Sequence, residues 1–392
     1  MAGDADKGIG IAAIAAKHPD WFSDDVIPES AGGEPYIDPD QRWVGTCLSA
    51  FGIMFNREVL DRLQIENEPT SWEDLAHPYF FKQIALADPT KSGSANKAFE
   101  MLIQEQMHKA LARLGKESPE LGMMERENLA VREGWKKGLQ LILKIGANAR
   151  YFTESSEKIP ADIASGNAAA GMCIDFYGRS YVQRLEELNP GVIPRVGYIT
   201  PAGGSSVGAD PIGMFRGAPN PELATAFMEF VISPEGQGIW GFRVGVPGGP
   251  KRNTLHRMPI RKDIYQGEEV ALLSDPNVRP YEYSENFEYR SDWTSRAFTS
   301  IRFIIRAMCI DSHEELRLAW KEVHSRGFPE KATEVLLDFD VVNYDSVMGS
   351  MRKVINSDDW ERKARLAKEL RDLFKSNYKK AIEQARKRNK TP

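Results

Sequence analysis

Three short stretches combine residue types that could hold a small polar molecule. In "LADPTKSGSANKAF" (86–99) an apolar segment passes Asp88-Pro89 and runs through Ser92-Gly93-Ser94 straight into a helical pattern. Backbone N–H groups at a helix start carry partial positive charge and suit a phosphate, carboxylate or sulfonate. The same serines also suit a plain helix cap. In "GMCIDFYGRSY" (171–181) a small-residue strand ends on Asp175, Phe176 and Tyr177. The carboxyl end of such a strand opens onto a crevice in an open α/β sheet. In "PAGGSSVGADPIG" (201–213) a Gly/Ser loop with Ser205 and Asp210 separates two strand-like runs, as a hinge or a second set of N–H donors would. Thr46 and Ser49, in "RWVGTCLSAFGIMFN" (42–56), add hydroxyls on a strand pattern near a cleft.

Catalysis has less support. The sequence holds no GxSxG, no GxGxxG after a strand and no GxxxxGK[ST], and "KSGSANK" has the wrong spacing for a phosphate-binding nucleotide loop. Glu186-Glu187 and Glu268-Glu269 fall in polar contexts and read as solvated faces. Cys47, Cys173 and Cys309 are few, odd in number and far apart, so they read as buried small side chains rather than a disulfide framework or metal finger. The histidines form no HExxH or other ligand pair. No enzyme activity, cofactor or metal is expected.

Elements must position these groups. With 392 residues, 42% of them hydrophobic and 27% charged, the chain can bury two or three cores. Its net charge of −5 is the wrong sign for bulk nucleic-acid binding. The longest apolar run, "IGIAAIAA" (9–16), is far short of the roughly 18 residues that span a bilayer and follows an acidic start. The patterns predict a short buried strand at 83–89, a strand at the end of "SSEKIPADIASGNAAAGMCID" and short strands in "VGYITPAGG" and "ADPIGMF", with a helix starting near Ser94 that puts Phe99, Leu102, Ile103 and Met107 on one face. Ser71 with Asp74 three residues on predicts a capping box. "APNPELATAFMEFVISPEGQGIW" reads as two helices, each opened by a cap and a proline (Asn220-Pro221, Ser233-Pro234), with Phe227, Phe230 and Val231 on one face. The alternation predicts an α/β architecture with mostly parallel sheets. The tail is a basic amphipathic helix with Leu366, Leu370, Leu373, Phe374 and Tyr378 on one stripe, expected to dock on its own domain.

The order of motifs carries a resemblance. "RWVGTCLSAFGIMFN", "PTSWEDLAHPYF", "IALADPTKSGSA", "GNAAAGMCIDFY" and "GAPNPELATAFMEFVISPEGQ" follow one another from about residue 8 to 250. Together they resemble the extracellular solute-binding proteins of bacterial ABC importers, in the branch of receptors for ferric iron, phosphonates, sugar phosphates and polyamines. The resemblance implies a two-lobe periplasmic-binding-protein-like fold (type II), hinged by two crossing strands, with a helical C-terminal extension. Mapped here, lobe one would be 1–88 and 207–392, and lobe two 89–206, with crossings near Ala87-Asp88-Pro89 and Val207–Ile212. The implied function is capture of a small polar solute by hinge closure and its delivery to a membrane permease with its ATPase. The protein would be a monomer outside the cytoplasm, periplasmic or lipid-anchored after export. The implied ligand residues are Thr46, Ser49, Ser92, Gly93, Ser94, Asp175, Tyr177, Ser205 and Asp210.

Two departures shape the expectation. A strand–helix–strand unit that usually precedes this segment is absent, which reads as an N-terminal truncation, with a non-transporting sensor or interaction module as the alternative. Iron binders carry two adjacent tyrosines where this chain has Phe176-Tyr177, and phenyl cannot donate to a ferric ion, so only Tyr177 remains for that alternative. The Ser-Gly-Ser turn favours an anionic solute instead.

Overall fold

The computed structural model describes residues 8–387. Helix α1 (Gly10–Lys17) and strand β1 (Val44–Ser49) come first. Strand β2 (Phe51–Asn56) leads to β3 (Ile84–Ala87), α2 (Gly93–Glu117), α3 (Met123–Asn148), β4 (Ala149–Thr153), α4 (Lys158–Ala164) and β5 (Ala170–Ile174). Then follow α5 (Asp175–Leu188), β6 (Val196–Ile199), β7 (Gly208–Ile212), α6 (Pro221–Ile232), α7 (Pro234–Gly241) and β8 (Met258–Pro259). The last stretch is helical and includes α8 (His313–Ser325), α9 (Glu330–Leu336) and α10 (Trp360–Arg386).

The chain divides into two compact units. The first runs up to Phe51 and adds Ile174–Pro190 and Ser205–Tyr289; the second takes Gly52–Cys173, Gly191–Gly204 and the stretch from Arg290 onward. These boundaries differ from the expected ones. Residues 52–88 and the C-terminal helices belong to the second unit, and the chain first leaves the first unit at Phe51 rather than near Asp88. Strand pairing explains it: β2 lies between β5 and β6, inside the same sheet as β3.

In the first unit β1 is the middle strand, antiparallel to β8 on one side and β7 on the other. All six of its residues are buried, as a central strand requires. Its register with β7 slips between Gly45 and Cys47. A bulge of this kind leaves one residue unpaired and re-aims its side chain, here Thr46. The "IGIAAIAA" run becomes α1, whose Ile11 and Ile14 join Met228, Val231 and Ile232 of α6 in the core. Of the three residues expected on one face of α6, only Val231 points inward. Phe227 and Phe230 are exposed, because the packed side of the helix is set by Met228, Val231 and Ile232.

The second unit holds a five-stranded sheet in the order β4-β3-β5-β2-β6. Strand β3 is parallel to β4 and β5, whereas β2 and β6 are antiparallel. Among the described residues parallel pairing is therefore confined to part of one sheet, and the first unit's three-stranded sheet is antiparallel, contrary to the expectation. The capping box forms: Ser71 N–H donates to Asp74 Oδ2 at 2.9 Å and Asp74 N–H to Ser71 Oγ at 3.3 Å. Helices α2 and α3 pack along glycines, and a Cβ at Gly134 would stand 2.3 Å from Met107 Cα. The buried Asn148 donates to the carbonyls of Leu75 and His77 and accepts from Trp320 Nε1, tying α8 to the sheet's flank. Leu370, Phe374 and Tyr378 of α10 are buried, and Tyr378 Oη donates to Met308 O at 2.8 Å, so the basic tail helix docks on its own unit.

Candidate functional site

The residues singled out from the sequence fall into two groups, one in each compact unit. Ser92, Gly93 and Ser94 open α2 in the second unit. Ser92 is the N-cap, and its Oγ accepts from Ala95 N–H at 3.2 Å while its carbonyl accepts from Asn96 N–H at 3.1 Å. The N–H groups of Gly93 and Ser94 have no acceptor among the described residues. Those two are the donors a capped helix leaves for a guest. A side chain added at Gly93 would meet nothing within 4 Å, so the space in front of the turn is open. Asp88 braces the turn from behind, accepting from Thr90 N–H and Oγ1 and from Arg306 Nη1 at 3.3 Å. The positive end of a 25-residue helix and two unclaimed donors give this corner partial positive charge, while the Arg306 guanidinium is already paired with Asp88 and Asp311.

In the first unit the geometry starts from β1, β7 and the head of α5. Thr46 Oγ1 donates to Asp210 O at 2.9 Å, across the bulge, and Ser49 Oγ donates to Asp210 Oδ2 at 3.4 Å. Arg257, just before β8, pairs with the same Asp210 carboxylate. Its guanidinium also donates to Cys47 Sγ at 3.0 and 3.3 Å and lies 4.1 Å from the centre of the Phe176 ring. Such a cation–π contact contributes about 0.5–2 kcal/mol. Thr46, Ser49 and Asp210 are thus brought together. Ser205 is not part of that cluster: its Oγ accepts from Phe51 N–H at 2.9 Å and donates to Ser206 O, so it serves the backbone.

Asp175 is the first residue of α5 and is fully buried. Arg179, one turn on, meets its carboxylate at 2.8 Å. Burial pushes the Asp175 carboxyl above its ordinary value, against the pull of Arg179 and then Arg257. Arg179 continues to Asp275 at 3.5 Å and to His256 O at 2.8 Å, and His256 Nδ1 lies 2.9 Å from Asp275 Oδ2. Burial also works to raise Asp275, but the bond to His256 and the Arg179 charge outweigh it and hold that carboxyl low. This chain of ion pairs and hydrogen bonds fixes the head of α5, leaving Tyr177 half-buried in its first turn. Where iron binders have a second tyrosine, Phe176 here carries a guanidinium over its face. A fixed positive charge at that point opposes a metal cation. Among the described residues no group of three or more His, Cys, Asp or Glu is placed to hold one.

Sequence reasoning missed Arg179, Arg257, His256 and Asp275. Arg179 was within reach, since an acid followed by a base four residues later shares a helix face. Nothing in spacing or composition marks Arg257, which reaches Asp210 only because β8 and β7 flank β1. The three cysteines are buried, as expected.

The polar groups singled out in the two units are thus backbone donors at a helix start and clusters of paired charges. The model of the family described as bacterial extracellular solute-binding protein matches residues 20–262, and the chain belongs to that family. It is 26% identical over 117 residues to the putrescine/agmatine-binding protein of Pseudomonas aeruginosa, covering 30% of this chain and 31% of that one. It is 22% identical over 196 residues to the phosphoglycerate transport regulatory protein PgtC of Salmonella typhimurium, covering 50% and 40%. The match thus spans less than half the length of these curated relatives. A solved structure with fold likeness is the periplasmic binding protein AfuA of Actinobacillus pleuropneumoniae with fructose-6-phosphate bound, at 19% identity and a TM-score of 0.47, covering 71% of this chain and 72% of that one.

Proposed function

We propose that the protein is the substrate-binding component of an ABC importer and captures a small polar, anionic solute outside the cytoplasm. Its partners are then a membrane permease with its ATPase, met by a monomer, with no role for nucleic acid. Family membership supports the solute-binding role. The relatives' names point to opposite charges, a putrescine/agmatine binder and a phosphoglycerate transport protein. The open start of α2, with the N–H groups of Gly93 and Ser94 unclaimed among the described residues, favours the anion.

Gly93→Asp tests this directly. The added carboxylate has room, and at a helix start it should leave stability unchanged or raise it by about 0.3–1 kcal/mol. Titration calorimetry and thermal shift would be run with phosphoglycerate, a sugar phosphate, a phosphonate and putrescine. The expected result is a midpoint increase with at least one phosphorylated or phosphonate compound in the wild type. In Gly93→Asp its affinity should fall at least about tenfold, the effect of placing like charge against it. Binding of putrescine alone, strengthened by Gly93→Asp, would overturn the anionic reading.

A further inference from the structure

A separate polar cluster lies in the second unit, on the flank of α2. Lys109 Nζ stands 3.0 Å from Glu105 Oε1 and also contacts Glu73 Oε1, which accepts from Gln106 Nε2 at 2.7 Å. The other oxygen of each carboxylate, Glu73 Oε2 and Glu105 Oε2, is buried and accepts no hydrogen bond. The Glu105 side chain is 4% exposed, so water does little to screen it. One half-exposed ammonium therefore faces two carboxylates, of which Glu105 is shut off from water while Glu73 lies partly in it.

The neighbouring charges are engaged elsewhere. On α3, which packs along α2, Glu133 pairs with Arg113 and Lys137, and Lys136 with Asp340. On the Glu73 segment, Asp74 is taken by the N–H groups of Thr70 and Ser71, and His77 stacks with Tyr79. His108 of α2 packs on Trp293. Nothing else among these groups is positioned to neutralise the second carboxylate.

We propose that Glu73 and Glu105 hold one proton between them, and that its loss loosens residues 70–77 from α2, so that this part of the second unit tightens as the medium acidifies. Burial, and then the Glu73 charge, push the Glu105 carboxyl up to about 7 against the pull of Lys109. Burial acts on Glu73 as well, but hydrogen bonds from Lys109 and Gln106 outweigh it and keep that group low. The proton accordingly resides on Glu105. An unfolded Glu titrates at about 4.3. Because the folded value is the higher one, the stabilisation is complete below about 4.3 and is lost as pH rises to about 7. Across that window, opening of the segment grows by up to about tenfold per pH unit, and above it the growth stops. The bonds from Asn148 to Leu75 O and His77 O sit on the same segment, so they report the opening.

The test is amide hydrogen exchange of residues 70–77 in the full chain at pH 5 and pH 7, corrected for intrinsic rates. Opening should be about 40-fold more frequent at pH 7 in the wild type, and the difference should shrink to about tenfold or less in Glu105→Gln. Glu73→Gln, which removes the like charge, should move the wild-type midpoint down, and Lys109→Met should move it up. Should these variants not fold, carboxyl-carbon NMR of the wild type decides the matter, with one Glu resonance expected to titrate near neutrality. A wild type whose pH response equals that of Glu105→Gln, or in which no Glu carboxyl titrates more than one pH unit above the ordinary value, overturns the proposal.

Discussion

Gly134→Val is expected to destabilise the second unit by about 3 kcal/mol, lowering its thermal midpoint by about 6–12 °C. A Cβ there would stand 2.3 Å from Met107 Cα and 2.4 Å from Met107 N. These are backbone atoms of α2, which cannot swing aside as a flexible side chain can. The two helices would have to separate, and their buried faces include Phe99, Leu102, Ile103, Leu139 and Ile142. Removing a helical glycine normally gains up to about 1 kcal/mol of propensity, so the sign rests on the clash alone. Gly115→Ala is the control. Its nearest neighbour would be Arg126 Nη1 at 3.8 Å, an ordinary contact, and this change should leave stability level or raise it by up to about 1 kcal/mol. Chemical denaturation that ranks the two substitutions equally would contradict this account of the helix crossing.

Arg179→Leu is expected to cost the first unit about 3–5 kcal/mol. The change strands Asp175, which is 0% exposed and has Arg179 as its nearest counter-charge at 2.8 Å. It also removes the guanidinium that joins Asp175 to Asp275. Asp175→Asn added to Arg179→Leu should recover a large part of the loss, because a buried amide costs less than a buried unpaired carboxylate. The pH dependence has a definite sign. Burial already sets the folded Asp175 value above its ordinary one, so whatever stability it contributes is greatest below the unfolded value and is lost as pH rises through the folded one. Without Arg179 the folded value climbs further, and the cost of the substitution should shrink on acidification. Urea melts at neutral and acidic pH give the comparison; a cost below about 1 kcal/mol at neutral pH would show the ion pair to be structurally idle.

Local order was readable wherever one short segment carries its own instructions. Ser92 caps α2, Ser71 and Asp74 form their reciprocal box, and Ser233-Pro234 opens α7 as the cap and proline indicate. Asn220 also precedes its proline, yet its side chain makes no cap bond, so that device works through Pro221 alone. The face of α6 was harder to read. Phe227, Phe230 and Val231 all suit a buried stripe, and only the position of α1 and the neighbouring core decides that Met228, Val231 and Ile232 point inward. The membership of residues 52–88 was equally opaque, since it depends on β2 pairing with β6 far along the chain.

The candidate groups divide along the same line. By itself the amino-acid order determined the α/β class, the family, the capped start of α2 and the placing of Asp175 where a strand becomes a helix. Each of these follows from neighbours a few residues apart, where backbone geometry and hydrogen bonding are local. Tertiary structure alone decided that Arg257 stacks on Phe176 and claims Asp210, that Ser205 is spent on Phe51, and that Glu73 meets Glu105 across Lys109. Those contacts join groups widely separated in the chain, and burial rather than residue type sets their charge. A carboxylate reads the same in any sequence; what it does depends on the counter-charge and the water that the fold leaves beside it.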